Sequence, residues 1–242
     1  MKPISAYVGL TAIAAGVALS VLDWTAALSV PSGHLAGFFT LLALGLLSET
    51  LSVRTAVGDS ESNFSITFIP LLTGALLFGP ETAVVLFFVV GAAAEFLIHD
   101  KPVQKATFNT AQYVVSSFVG GAVYAAVISR LTDSSGGATL LVDGLGIWAA
   151  TVGVLAFGLT FLIMNHAMVA GAIAISRGVP FRRTWSELSG PSASNILVDL
   201  LVSPVALAVG LLYREMEFHA LGLVIVLFPM LFVRHFYQIN YR

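Results

Sequence analysis

Glu49, Glu95, Asn109, Gln112, Asn165, His166, Asn195 and Asp199 are polar or ionisable side chains set inside otherwise apolar stretches of this sequence. Carboxylates and an imidazole bind cations and carry protons, and amides both donate and accept hydrogen bonds. In an apolar solvent each such group costs a few kcal/mol unless a partner holds it, so each needs a reason. Their spacing sorts them by face. Lys105, Asn109, Gln112 and Ser116 fall at i, i+4, i+7 and i+11, one stripe along a helix, and Gly120 continues it where a neighbouring helix can approach. Asn195, Asp199 and Ser203 form a second stripe, and Glu95 and His99 are also four apart.

Two chemistries fit these residues. In one, Glu49, Glu95, Lys105, Asn109, Gln112, His166, Asn195 and Asp199 line a polar cavity that binds a small polar molecule or an ion. In the other, the amides are hydrogen-bond glue between helices, Glu49 and Glu95 reach to a nearby interface, and His166 and Asp199 form a buried pair. The catalytic signatures are missing. The sequence has no HExxH, no Gly-rich phosphate loop and no GxSxG. His166 has no second His one turn away, and there is no Cys, so no metal site, catalytic residue or cofactor is expected.

The elements that must position these groups follow from composition. Of 242 residues, 57% are hydrophobic and 10% charged, which excludes disorder and an ordinary soluble enzyme. The fold class expected is all-α: one integral membrane domain over residues 1–242, a polytopic bundle of about eight spans. The spans fall near residues 4–22, 35–51, 64–78, 81–98, 103–128, 146–176, 192–213 and 221–237. The first apolar run is longer than a signal-peptide core and is taken as a retained helix. The third is short and suits a tilted or re-entrant segment, and the sixth exceeds a perpendicular crossing. Arg54 to Asn63 is a polar stretch that fits either a surface hairpin or a loop.

Eight spans place both termini on one side. That side then holds Lys2, Arg54, Lys101, Lys105, Arg177, Arg182, Arg183, Arg234 and Arg242, and the other side only Arg130 and Arg214. The positive-inside rule makes the basic side, and with it both termini, cytoplasmic. The outer segments, the Gly79-Pro80 turn among them, are too short for an external domain. Counting along the helices puts the polar groups in the cytoplasmic half. Net charge is −2, so no nucleic acid is expected as partner. Membrane lipids are: Arg177, Arg182 and Arg183 with Trp185 suit headgroups and the interfacial aromatic belt.

Two stretches carry a family resemblance. One is Lys105-Ala106-Thr107-Phe108-Asn109-Thr110-Ala111-Gln112, after the Gly-Pro-linked apolar pair. The other is the ending: Trp185, Leu211-Leu212-Tyr213-Arg214-Glu215, Phe228-Pro229 and Arg234-His235-Phe236-Tyr237. Together they resemble the N-terminal multi-spanning region of bacterial signalling proteins that carry an HD-GYP phosphohydrolase or a GGDEF domain. The resemblance implies an input module for a cytoplasmic effector, and it singles out Lys105, Phe108, Asn109 and Gln112. No HD or GGDEF signature occurs in these residues. Residues 65–100, with Leu77-Phe78-Gly79-Pro80, are also similar to the substrate-binding membrane subunit of energy-coupling factor transporters. The expected function is a sensory module that binds a small ligand or senses the bilayer. A small-solute transporter subunit is the alternative, and a lipid-modifying enzyme follows it.

Overall fold

The computed structural model describes residues 3–51, 53–57, 60–64, 67–132, 138–141, 143–190, 200, 203–215 and 220–229. The chain forms a helical bundle. In order it has α1 (Pro3–Val21), α2 (Trp24–Leu28), a 3-10 turn (Ser32–His34), α3 (Leu35–Thr50), a hairpin of β1 (Val53–Val57) and β2 (Ser60–Phe64), α4 (Phe68–Phe78) and α5 (Pro80–Ala93). A π-helical turn (Ala94–Ile98) extends α5. Then come α6 (Val103–Leu131), α7 (Ile147–Arg177), α8 (Phe181–Ser189), α9 (Ser203–Glu215) and α10 (Ala220–Pro229). The strands pair antiparallel, with Val53 opposite Phe64 and Val57 opposite Ser60.

Among the described residues, five helices are long and apolar enough to cross a membrane: Pro3–Val21, Ser32–Thr50, Pro80–Ile98, Val103–Leu131 and Ile147–Arg177. Phe68–Phe78 and Ala220–Pro229 are apolar but shorter. Helix α7 has 31 residues, about 46 Å at about 1.5 Å per residue, well beyond a hydrocarbon core of about 30 Å. The seventh expected span, residues 192–213, begins outside the described residues, and its described helix is α9. Leu10, Ile13, Val17 and Val21 on α1 are exposed, as they are on a helix that faces lipid rather than water.

Helix α6 is central and packs against α1, α5 and α7. Small residues let it do so. A Cβ on Gly120 would lie 3.2 Å from the Phe157 carbonyl oxygen, and one on Gly153 would lie 2.8 Å from the Tyr124 ring. Gly120 is therefore the point of close approach expected from the stripe, and α7 is the helix that approaches.

Helix α4 has 11 residues, about 16 Å, too few to reach both ends of the bundle. Both residues of the Gly79-Pro80 turn are buried. Gly79 takes φ 101°, a conformation that favours glycine. Protein covers the turn on two sides. The Thr82 hydroxyl donates to the Ala27 carbonyl at 2.9 Å, and the Leu140 N–H donates to the Leu76 carbonyl at 2.9 Å. The Tyr124 hydroxyl holds the same covering segment through the Ala138 carbonyl at 2.9 Å.

Candidate functional site

At the opposite end from that turn, three elements bring buried charge together. Glu49 lies in the last turn of α3, Glu95 in the π-helical turn after α5, and Asn109 in the second turn of α6. Glu49 is 7% exposed and Glu95 3%. Both are partnered, in different ways. His99 Nε2 lies 3.1 Å from Glu49 Oε2. Lys101 Nζ donates to Glu95 Oε1 at 2.8 Å, and Asn109 Nδ2 donates to Glu95 Oε2 at 2.7 Å.

The backbone explains this division. A π turn holds one residue more than an α turn, and such turns collect at functional positions. Here the His99 N–H reaches back to the Ala94 carbonyl at 2.8 Å and the Lys101 N–H to the Glu95 carbonyl at 3.2 Å. Asp100 between them takes φ 44°, uncommon for a residue other than glycine. The widened turn takes His99 off the α-helical register with Glu95. The two were expected to share a face at i, i+4; instead His99 turns to α3 and Lys101 returns to Glu95.

An aromatic layer lies one turn further into the bundle. Tyr113, four residues after Asn109, stacks with Phe161 at 6.3 Å between centroids. Phe161 meets Phe87 at 4.7 Å and Phe68 at 5.1 Å. Gly91, four residues before Glu95, has no side chain where the Tyr113 ring packs: a Cβ there would lie 2.9 Å from it. The ionic groups therefore sit at the bundle end with apolar rings behind them.

The remaining expected site residues fall elsewhere. Lys105 is exposed and joins no pair among the described contacts. Gln112 and Ser116 are buried, and neither Gln112 Oε1 nor Ser116 Oγ has a hydrogen-bond partner. Asn165 Oδ1 is likewise unpartnered. His166 is half-buried, and its Nδ1 sits 2.9 Å from the Leu162 carbonyl of its own helix, apart from the Glu49–Glu95 group. Asn195 and Asp199 lie outside the described residues. Lys101 entered the sequence reading only as a topological charge, yet it is the ionic partner of Glu95. Its signal was local: a Glu followed within six residues by His and Lys, straight after an apolar helix. No cluster of three His, Cys, Asp or Glu able to hold a metal occurs among the described residues.

Basic residues also gather on α8. Arg183 Nε donates to Glu187 Oε1 at 2.9 Å, and Arg177 Nη1 stands 3.9 Å from Glu187 Oε2. Arg182 is exposed. Phe181 and Trp185 stack at 6.0 Å, with Trp185 packed on the core.

A model of the MASE9 family matches residues 31–238. The chain belongs to MASE9, a family of membrane-associated sensory domains. No curated protein and no solved structure matches it. The MASE9 match contains Glu49, Glu95, His99, Lys101, Asn109 and α8. It begins after α1 and α2, although α1 packs on α6 and its Tyr7 hydroxyl donates to the Met168 carbonyl of α7 at 3.0 Å. The MASE9 region and the preceding helices thus share contacts within one bundle.

Proposed function

We propose that this chain is the non-enzymatic input module of a bacterial signalling system, spanning the inner membrane about eight times with both termini in the cytoplasm. Its output is a helix movement passed to a cytoplasmic effector of the HD-GYP or GGDEF kind. Its input acts on the cluster of Glu49, Glu95, His99, Lys101 and Asn109. Membership of a membrane-associated sensory family supports the sensory role. The observation that carries the choice of site is that α3 and α6 are each tied to the turn after α5 through a buried carboxylate, Glu49 to His99 and Glu95 to Asn109 and Lys101. Side-chain contacts of this kind, made or broken as units, are what a switch requires.

Contacts at the two ends support the topology. Elements placed outside in this scheme touch one another: Thr82 with Ala27, Leu140 with Leu76, and His34 Nδ1 with the Tyr213 hydroxyl at 3.1 Å. Elements placed inside do likewise: Glu49 with His99, and Gln104 with Ser5 at 3.1 Å. Arg177, Arg182 and Arg183 then face the headgroup layer of the inner leaflet. The transporter alternative has less support, because among the described residues the buried charged side chains, Glu49 and Glu95, occupy one end and trace no path between ends.

The test fuses the chain upstream of a GGDEF cyclase domain and follows cyclic-dinucleotide output in cells. Glu95→Gln and Asn109→Ala should each change output by about fivefold or more. Leu10→Ala, on the exposed face of α1, should leave it unchanged. Output indifferent to both cluster substitutions, with insertion intact, sinks the reading.

A further inference from the structure

Two carboxylates of similar burial stand at one end of this bundle, and each is matched to a different kind of cation. Glu95 is held by a lysine ammonium and an amide. Glu49 is held by an imidazole. A lysine side chain of this kind keeps its charge at any physiological pH, whereas imidazole is the side chain whose charge changes there. One link is therefore permanent in kind and the other is switchable.

We propose that the Glu49–His99 pair is a proton-linked latch, so that the proton is a signal this module reads. The proposal rests on the sensory reading of the same cluster. With His99 protonated, the pair is an ion pair that clamps the end of α3 to the turn after α5. When His99 returns its proton to solvent, the attraction between opposite charges is lost, and what remains is a single hydrogen bond from a neutral imidazole to the Glu49 carboxylate. The His99 side chain keeps 10% of its surface open, at the bundle end that the sensory reading places toward the cytoplasm.

The surroundings single out His99 as the group that changes. From α3 the titratable neighbour is Glu49, and from its own segment Glu95, Asp100 and Lys101. From α6 it is Tyr113, within electrostatic reach of both carboxylates, while Lys105 on the same helix is exposed. The described part of α5 carries Glu81 at its far end and no other charge. Among these, only the imidazole belongs to a type that titrates between about pH 5 and pH 8. The lever is short: α3 ends one residue after Glu49, and β1 starts at Val53. Releasing the latch frees the end of α3 while Lys101–Glu95–Asn109 still holds α6 to the turn.

The sequence contains no Cys, so paired labels can be placed without background. Nitroxides on Thr50→Cys and Val103→Cys, both exposed, report the spacing between the end of α3 and the start of α6. The full chain in lipid nanodiscs is compared by double electron–electron resonance at about pH 5.5 and about pH 8, either side of the histidine range. The expected result is one narrow spacing at the lower pH and a second, longer population at the higher. His99→Gln and Glu49→Gln should each make the spacing independent of pH. Equal distributions in the parent at both pH values overturn the latch, as does a pH change that survives either substitution. If neither variant folds, the parent decides alone: a one-proton transition centred between about pH 5 and pH 8 supports the latch, and any other midpoint overturns it. The sensory reading fails separately. A fixed spacing in a chain whose cyclase fusion still responds to Glu95→Gln removes the latch only. A pH-dependent spacing with output indifferent to every cluster substitution removes the sensory reading only.

Discussion

Asn109 of α6 donates a 2.7 Å hydrogen bond to Glu95, a carboxylate on the turn after α5 whose other partner among the described residues is Lys101. This bond ties α6 to the π-helical turn from the bundle side. Asn109→Ala leaves a buried carboxylate oxygen without its donor, at a cost of about 1–3 kcal/mol. Asn109→Asp, nearly the same shape, sets a second carboxylate against the first and should cost more. Reversible unfolding in mixed micelles checks the order: parent, then Ala, then Asp. Asp as stable as the parent would contradict the close contact between residue 109 and Glu95.

Lys101 supplies the cation that faces Glu95 inside the bundle, 2.8 Å away. Its removal as Lys101→Met should cost about 3 kcal/mol, since one charge of a largely buried pair is left uncompensated. Glu95→Gln in the same chain should recover much of that loss, because the orphaned charge is gone. A double-mutant cycle measures the coupling. Additive losses would show that the two side chains do not interact in the membrane.

Much of this arrangement was readable from the chain alone, for a physical reason. Lipid demands long apolar runs, so the helices around residues 103–131 and 147–177 announce themselves by length, and a buried Glu95 or Asn109 stands out against them. The partners were not readable. Glu49 meets His99 across 50 residues, and nothing in local spacing reports a contact between helices. The π turn was hidden for a related reason: helical spacing assumed a regular helix through Glu95 and His99, and one extra residue per turn undid the i, i+4 match. The buried Gly79-Pro80 turn escaped because the shortness of α4 says nothing about what covers it. That role falls to Ala138, Leu140 and α2, remote in sequence.

Gly153 marks where α7 comes closest to α6. An added Cβ would lie 2.8 Å from the Tyr124 ring and 2.9 Å from Ile128, both fully buried, so neither has room to yield. Gly153→Ala should therefore destabilise by about 1–3 kcal/mol, despite the better helix propensity of Ala. Gly9→Ala on α1 meets nothing within 4 Å and should be neutral or slightly stabilising. The same unfolding assay distinguishes them, and an equal effect at the two positions would contradict the close α6–α7 packing.

The buried segment over the short helix α4 should depend on Tyr124. Its hydroxyl donates to the Ala138 carbonyl at 2.9 Å, and the Leu140 N–H two residues on donates to Leu76. Tyr124→Phe keeps the ring and removes one buried donor, for about 1 kcal/mol. The effect should be local. Hydrogen exchange at Leu140 is expected to rise while exchange in the middle of α6 stays as it was. Unchanged protection at Leu140 would mean that the hydroxyl does not hold the cover in place.

Arg182 lies on the exposed face of α8, while Arg183 and Arg177 both lean on Glu187. If α8 rests in the headgroup layer, Arg182 is the side chain with most freedom to meet a lipid phosphate, and neighbouring Trp185 reports on it. The chain has three Trp residues, and Trp24 and Trp148 are exposed near the start of α2 and α7, away from α8. Replacing those two with Phe leaves Trp185 as the only indole. Brominated anionic lipid should then quench Trp185 more than brominated zwitterionic lipid at equal mole fraction, and Arg182→Gln should narrow the difference. Added salt should narrow it as well, because a surface charge is screened within about 8–10 Å at physiological ionic strength. Equal quenching by the two lipids before substitution would show that α8 meets lipid through Phe181 and Trp185 alone, with its arginines turned to the cytoplasm.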